Sequence, residues 1–186
     1  MSSKDQKADP PNRKPIAVES VAWEEWSEGS RFGSRFRHLT RAAVGDGYHV
    51  GVLIEELPPG KQSSPAHYHL LEEEHILVLE GRATLRLAEE TIEVSAGDYV
   101  CFPARQKAGH CLVNTSDAPC RFLVIGERKP DEVCVYTDSN KILVRSVDEI
   151  YDRSQVRPYW DGEATGGDQA SSSPSPSSPS SSSSSS

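Results

Sequence analysis

The chain has 186 residues, enough for one domain with a real core, and its 28 Asp and Glu against 20 Lys and Arg give a formal net charge of −8. That balance lacks the basic footprint of a nucleic-acid binder. No apolar run approaches the roughly 20 residues of a membrane span, and no signal-peptide apolar segment follows residues 1–7, so no membrane role and a cytoplasmic location are expected.

Residues 1–15 are rich in Lys, Asp and Pro without periodicity and read as a disordered arm. From Ile16 the chain gains Val18, Val21, Trp23 and Trp26, with the tryptophans expected to anchor an N-terminal strand or turn. Residues 31–39 mix Phe32 and Phe36 with three arginines and read as a solvated strand or turn. A succession of short strand-like runs follows. Residues 48–57 stop at Pro58-Pro59-Gly60, 74–80 stop at Gly81, and 83–87 place Leu85 and Leu87 on one face. Runs over 91–94, 99–102, 111–113, 121–126 and 132–136 complete the set, with Gly97, Pro103 and Asn114 among their terminators. Helix is expected only in small pieces, one of them at 147–151. Short strands at this spacing predict an all-β antiparallel sandwich or barrel, here over residues 16–160. The tail, residues 161–186, becomes pure Ser and Pro from Ser171 and is expected to be disordered. Cys101, Cys111, Cys120 and Cys134 form no C-x-x-C pair and read as free thiols packed in strands.

His67 and His69 stand one residue apart, so they act as neighbouring metal ligands only on extended backbone, where i and i+2 share a face. The flanking sequence carries a wider pattern. Gly60 precedes His67; after His69 come four residues, then Glu74, six residues and Gly81. Further on, Gly97, five residues and Pro103 lead to His110, which is followed by three residues and Asn114.

Residues 60–114 thereby resemble the two motifs of the cupin superfamily, whose members are small double-stranded β-helix (jelly-roll) barrels. Two departures stand out. One extra residue separates Gly60 from His67, and Arg105 occupies the place of a motif Gly in a loop, residues 104–109, that is two residues longer than the pattern. A further resemblance, from Trp26 to about Tyr136, is to small uncharacterised single-domain cupins with Leu-x-Pro-Gly before the histidines, here Leu57-Pro58-Pro59-Gly60, and Tyr-x-Asp-Ser near the end, here Tyr136-Thr137-Asp138-Ser139. The resemblance implies a double-stranded β-helix with short terminal extensions and the metal ligands His67, His69, Glu74 and His110, with Glu73 as fallback for the carboxylate. The cofactor it implies is one divalent transition metal: Fe, Mn, Zn or Ni. Three imidazoles and one carboxylate suit such an ion and leave two adjacent octahedral positions open.

His38, His49 and His75 read as packing or surface residues, His75 because it alternates out of phase with Glu74. Tyr48, Tyr99, Phe102 and Arg86 are candidate ligand contacts from neighbouring strands. Arg105 and Lys107, just ahead of His110, are candidates to hold a carboxylate or phosphate. No separate general base is evident. The function expected is a metal-dependent enzyme, of oxygenase or of isomerase or decarboxylase type, acting on an anionic or oxygen-rich small molecule. The alternative is a non-catalytic cupin that senses or stores a ligand. The partners expected are that small molecule and a second copy of the chain, since open sheet edges favour a homodimer.

Overall fold

The protein is described from a computed structural model covering residues 14–164. The arm and the tail expected from the sequence lie, for residues 1–13 and 165–186, outside the described residues. A hairpin, β1 (Glu24–Glu28) and β2 (Phe32–His38), leads through the short helix α1 (Leu39–Val44) to β3 (Val50–Leu57). Then come β4 (His67–His69), β5 (Glu74–Glu80), β6 (Arg82–Leu87), β7 (Glu90–Ser95), β8 (Tyr99–Phe102), β9 (His110–Val113), β10 (Cys120–Glu127) and β11 (Val133–Tyr136). The last hairpin is β12 (Lys141–Val144) with β13 (Glu149–Asp152). These strands form a six-stranded sheet, in the order β1-β2-β3-β10-β5-β8, and a seven-stranded sheet, β13-β12-β11-β4-β9-β6-β7. The little helix and the two antiparallel sheets are the double-stranded β-helix expected from the sequence. Residues 155–164 belong to a separate short unit, in which Arg157 pairs with Asp161 at 2.6 Å and the rings of Tyr159 and Trp160 meet edge to face.

The period-2 alternation of the strands builds the interior. Leu57, Ile76, Val78, Ala83, Leu85, Val94, Phe102, Leu112 and Phe122 form one buried cluster with Cys120. Cys111, Cys120 and Cys134 are buried free thiols in β9, β10 and β11, and burial pushes Cys120 up to about 11 and Cys134 up to about 12. Outward positions carry charge. Glu56 bridges Arg35 at 2.6 Å and Arg121 at 2.9 Å, while the guanidinium groups of Arg35 and Arg37 lie over the Trp23 ring at 4.7 and 4.5 Å.

Two motif positions are explained by backbone geometry. Gly81 turns the chain from β5 to β6 at φ +76°, and a Cβ there would lie 2.6 Å from the Pro119 carbonyl. Asn114 is fully buried; its amide donates to the carbonyls of Leu57 and Ala118 at 2.7 and 2.8 Å, and its oxygen accepts from the Ser116 N–H. The motif Asn therefore ties off the turn after β9.

The helix expected at 147–151 is absent. Asp148 takes a left-handed conformation (φ +54°, ψ +42°) after a 3₁₀ turn, and residues 149–152 pair with β12, Ile150 opposite Leu143. The apolar residues Ile142 and Leu143 across the hairpin outweigh the acidic, helix-compatible local sequence.

Glu55 is the exception to the apolar inner face of β3. It lies in phase with the core residue Leu57, and burial together with the Glu74 charge raises its carboxyl to about 7 despite the Ser34 hydroxyl. The folded state then binds a proton that the unfolded chain releases between pH about 4.5 and about 7, so this group's contribution to stability falls as pH rises through that window, by on the order of 2–3 kcal/mol. Glu55→Gln is expected to abolish that loss: thermal unfolding at pH 8 should show a higher Tm than the parent, with the two converging near pH 5.

Candidate metal centre

The two sheets contribute unequally to one site between them. β4 and β9 pair with His67 opposite His110, and His69 projects from the same face of β4 two residues on. Glu74 comes from the first residue of β5 in the other sheet. One donor atom from each of His67, His69, Glu74 and His110 lies within 4.8 Å of the others. The Glu74 oxygens stand 3.7 Å from both His69 Nε2 and His110 Nε2. Of the three consecutive acids, Glu74 faces the histidines. Glu72 is buried and committed to Arg145, one contact measuring 3.0 Å, and to the Lys129 N–H at 2.5 Å, and Glu73 lies on the outer face.

Outer contacts set the tautomers. His67 Nδ1 donates to the Pro65 carbonyl at 2.8 Å, and His69 Nδ1 to the Glu132 carboxylate at 3.2 Å, leaving each Nε2 lone pair for the centre. His110 is 3% exposed, its ring stacks on Phe102 at 3.7 Å and 1°, and its Nε2 is buried without a hydrogen-bond partner. A buried, unpartnered ring nitrogen beside a carboxylate and two oriented imidazoles is the donor set that a divalent first-row ion satisfies. Burial, reinforced by His110, lowers His67 to about 4, so its ring is neutral and able to ligate above that pH. Burial opposes charge on His69 as well, but the Glu74 carboxylate outweighs it and raises the ring. Burial likewise opposes the Glu74 charge, yet His110 and His69 hold its carboxyl well below the usual range.

Glu132 was not apparent as a functional residue in the sequence. It is 1% exposed, and its carboxylate accepts the N–H groups of Leu70, Leu71 and Glu72 at 3.0, 2.9 and 3.0 Å besides His69 Nδ1. No local pattern signals it, because its partners lie 60 to 63 residues away.

Beside Glu74 a cavity of ≈170 Å³ opens, lined among others by His38, Tyr48, Arg128 and Arg145. Its space arises where Gly51 and Gly126 oppose each other across β3 and β10, next to Glu74 on β5. His38 Nδ1 accepts the Arg41 N–H at 3.2 Å as the cap of α1, so the ring proton sits on Nε2 and is donated to the Tyr48 hydroxyl at 2.7 Å. Tyr48 keeps its own proton for the cavity. Burial, then Arg41, lowers His38, which keeps the ring neutral. Arg145 is engaged by Glu72, whereas Arg128 is exposed and, among the described residues, has no carboxylate partner, only the Tyr48 ring 5.9 Å away.

The remaining candidates fall in different places. Phe102 packs on His110. Tyr99 is 62% exposed and points outward with Cys101, since Val100 and Phe102 hold the inward phase of β8. Arg86 also points outward, in a two-pronged ion pair with Asp138 at 3.0 and 3.2 Å. Arg105 and Lys107 are exposed on the loop into His110. Arg105 adopts φ +68°, in the left-handed region that favours glycine, and its N–H donates to the His69 carbonyl at 2.8 Å. Gly109 closes that loop against Thr137, whose side chain would overlap any Cβ there.

The comparisons with known proteins agree with the fold. The family model described as "Cupin domain" matches residues 53–126. A protein named "Putative sugar phosphate isomerase" from Acidithiobacillus ferrooxidans superposes with a TM-score of 0.69 at 28% identity, covering 76% of this chain and 91% of its own. Residues 53–126 thus match the cupin domain, and the described residues have the cupin fold. A cupin-superfamily protein of Silicibacter pomeroyi, also named sugar phosphate isomerase, gives 0.67 at 28% identity over 80% of this chain and 98% of its own. The polyketide cyclase RemF of Streptomyces resistomycificus gives 0.52 at 27% over 62% and 80%. No curated protein sequence matches this chain significantly.

Two outcomes test the centre. His67→Ala/His69→Ala should purify without the metal that elemental analysis finds in the parent. Glu132→Gln should weaken metal binding by about 10–100-fold in competition with a chromophoric chelator, because His69 Nδ1–H and three backbone N–H groups are left to share one neutral amide oxygen.

Proposed function

We propose that this protein is a metal-dependent enzyme acting on an anionic, hydroxyl-rich small molecule, with isomerisation of a phosphorylated sugar as the reaction class. The observation that carries the reading is the cavity beside Glu74, which sets the unpaired Arg128 and the proton-bearing Tyr48 next to the four-residue donor set. The two isomerase-named neighbours at 28% identity support the same class.

The metal, when bound to His67, His69, Glu74 and His110, supplies Lewis-acid polarisation of a substrate oxygen. The chain does the rest. Arg128 holds the anionic group at the cavity mouth through charge-assisted hydrogen bonds, with Arg105 and Lys107 as the second candidate cation pair. Tyr48 donates a hydrogen bond to a substrate oxygen, and His38 holds Tyr48 in place by donating to it. Phe102 shields the His110 ring from water.

Metal-loaded protein is expected to interconvert aldose and ketose phosphates without consuming dioxygen, measured by coupled assay and oxygen electrode. Arg128→Ala should raise KM about 10-fold or more with metal content unchanged, the cost of one charge-assisted contact. Tyr48→Phe should lower kcat instead. Binding of phosphosugars without turnover would replace the enzyme by a sensing or storage module, and oxygen uptake by the iron form would replace the isomerase by an oxygenase.

A further inference from the structure

β5 presents opposite chemistry on its two faces. Glu74 points into the barrel, whereas His75 points out, and directly across the ladder from His75 on the edge strand β8 stands Cys101. Glu73, two residues before His75, lies on the same outer side, its carboxylate 3.2 Å from His75 Nε2. A donor atom from each of Glu73, His75 and Cys101 lies within 4.8 Å of the others. The donors of a tetrahedral ion with bonds of 2.0–2.3 Å stand roughly 3.3–3.8 Å apart, so small side-chain rotations close the set. The fourth position faces solvent, since the side chains of Glu73 and His75 are 45% and 29% exposed.

The surroundings orient this cluster. The Tyr99 hydroxyl stands 2.6 Å from His75 Nδ1, and its ring lies nearly parallel to the imidazole at 21°. Without an ion, His75 Nε2–H donates to Glu73 and Nδ1 accepts from the Tyr99 hydroxyl; an ion on Nε2 would displace that proton and reverse the Tyr99 bond, so that the Tyr99 oxygen accepts Nδ1–H. Glu127, the nearby acid, is already engaged, accepting the Glu73 N–H at 3.0 Å and the Lys129 ammonium at 2.7 Å. Cys101 is partly exposed, unlike the three buried cysteines.

We propose that Glu73, His75 and Cys101 form a second metal site, on the outer face of the barrel, for a borderline-soft divalent cation of the zinc class. A thiolate, an imidazole and a carboxylate select such an ion over the hard cations that prefer all-oxygen sites. Binding forms a metal–sulfur bond and releases the thiol proton to solvent. The site is independent of the barrel centre and shares no ligand with it.

The test uses cobalt(II), whose thiolate complexes show a near-ultraviolet charge-transfer band. In the full-length His67→Ala/His69→Ala chain, one equivalent of cobalt is expected to bind with that band, and adding Cys101→Ser should remove both. Absence of the band, or its survival after Cys101→Ser, overturns the site. The wild-type chain gives a second readout that needs no barrel variant. Zinc should slow alkylation of Cys101 by iodoacetamide at least 10-fold, located by mass spectrometry, and His75→Gln should cancel the protection. Equal alkylation with and without zinc overturns the proposal.

Discussion

The carboxylate of Glu132 is the constraint on which the centre depends. The chain must leave β4 in one sheet and start β5 in the other within four residues, 70–73, and a turn that abrupt strands backbone donors in the interior. Glu132 collects three of them and the His69 ring proton as well. Each is a charge-assisted bond, and together they offset the desolvation of a carboxylate that is 1% exposed. The same four bonds that close the turn also aim a ligand. The neighbouring tie of Glu72 to Arg145 and the Lys129 N–H fixes the other side of the turn, so Glu74 begins β5 already facing the three histidines.

Strand periodicity then determines what each side chain is for. On β5 a step of one residue separates a carboxylate aimed at buried imidazoles from an imidazole aimed at a thiol in partial contact with solvent. The inner donors are mostly nitrogen and largely buried, with His110 Nε2 unpartnered among the described residues, while the outer set is mixed and more exposed. The glycine pair Gly51 and Gly126 adds the third element, empty space beside Glu74 where two ordinary side chains would have filled the barrel.

Much of this is legible in the sequence. The runs 74–80 and 99–102 coincide with β5 and β8, because Gly81 and Pro103 punctuate them. His67 and His69 read as a ligand pair from the period of two, while Glu74 and His110 join them only through the resemblance to the cupin motifs. What stayed hidden rests on long-range partners. Glu132 looks like one more surface acid, His38 and Tyr48 become a pair only when α1 folds back on β3, and the 147–151 segment has helical composition but finds Ile142 and Leu143 across a hairpin. Tyr99 illustrates a smaller limit: four residues of β8 do not reveal their phase until Phe102 is seen on His110.

The sequence distance between Glu132 and the turn it holds carries a kinetic consequence. Its bonds close loops of 60 to 63 residues, and contacts of that span form late, after the chain has met most of the loop-closure entropy. The histidines of β4 are therefore assembled but not yet aimed while β11 remains undocked. An ion arriving at that stage meets a floppy, solvated set of donors and gains little by staying. An ion held by His67, His69, Glu74 and His110 would then join a barrel already folded as protein, as a late passenger of the folding route rather than its nucleus.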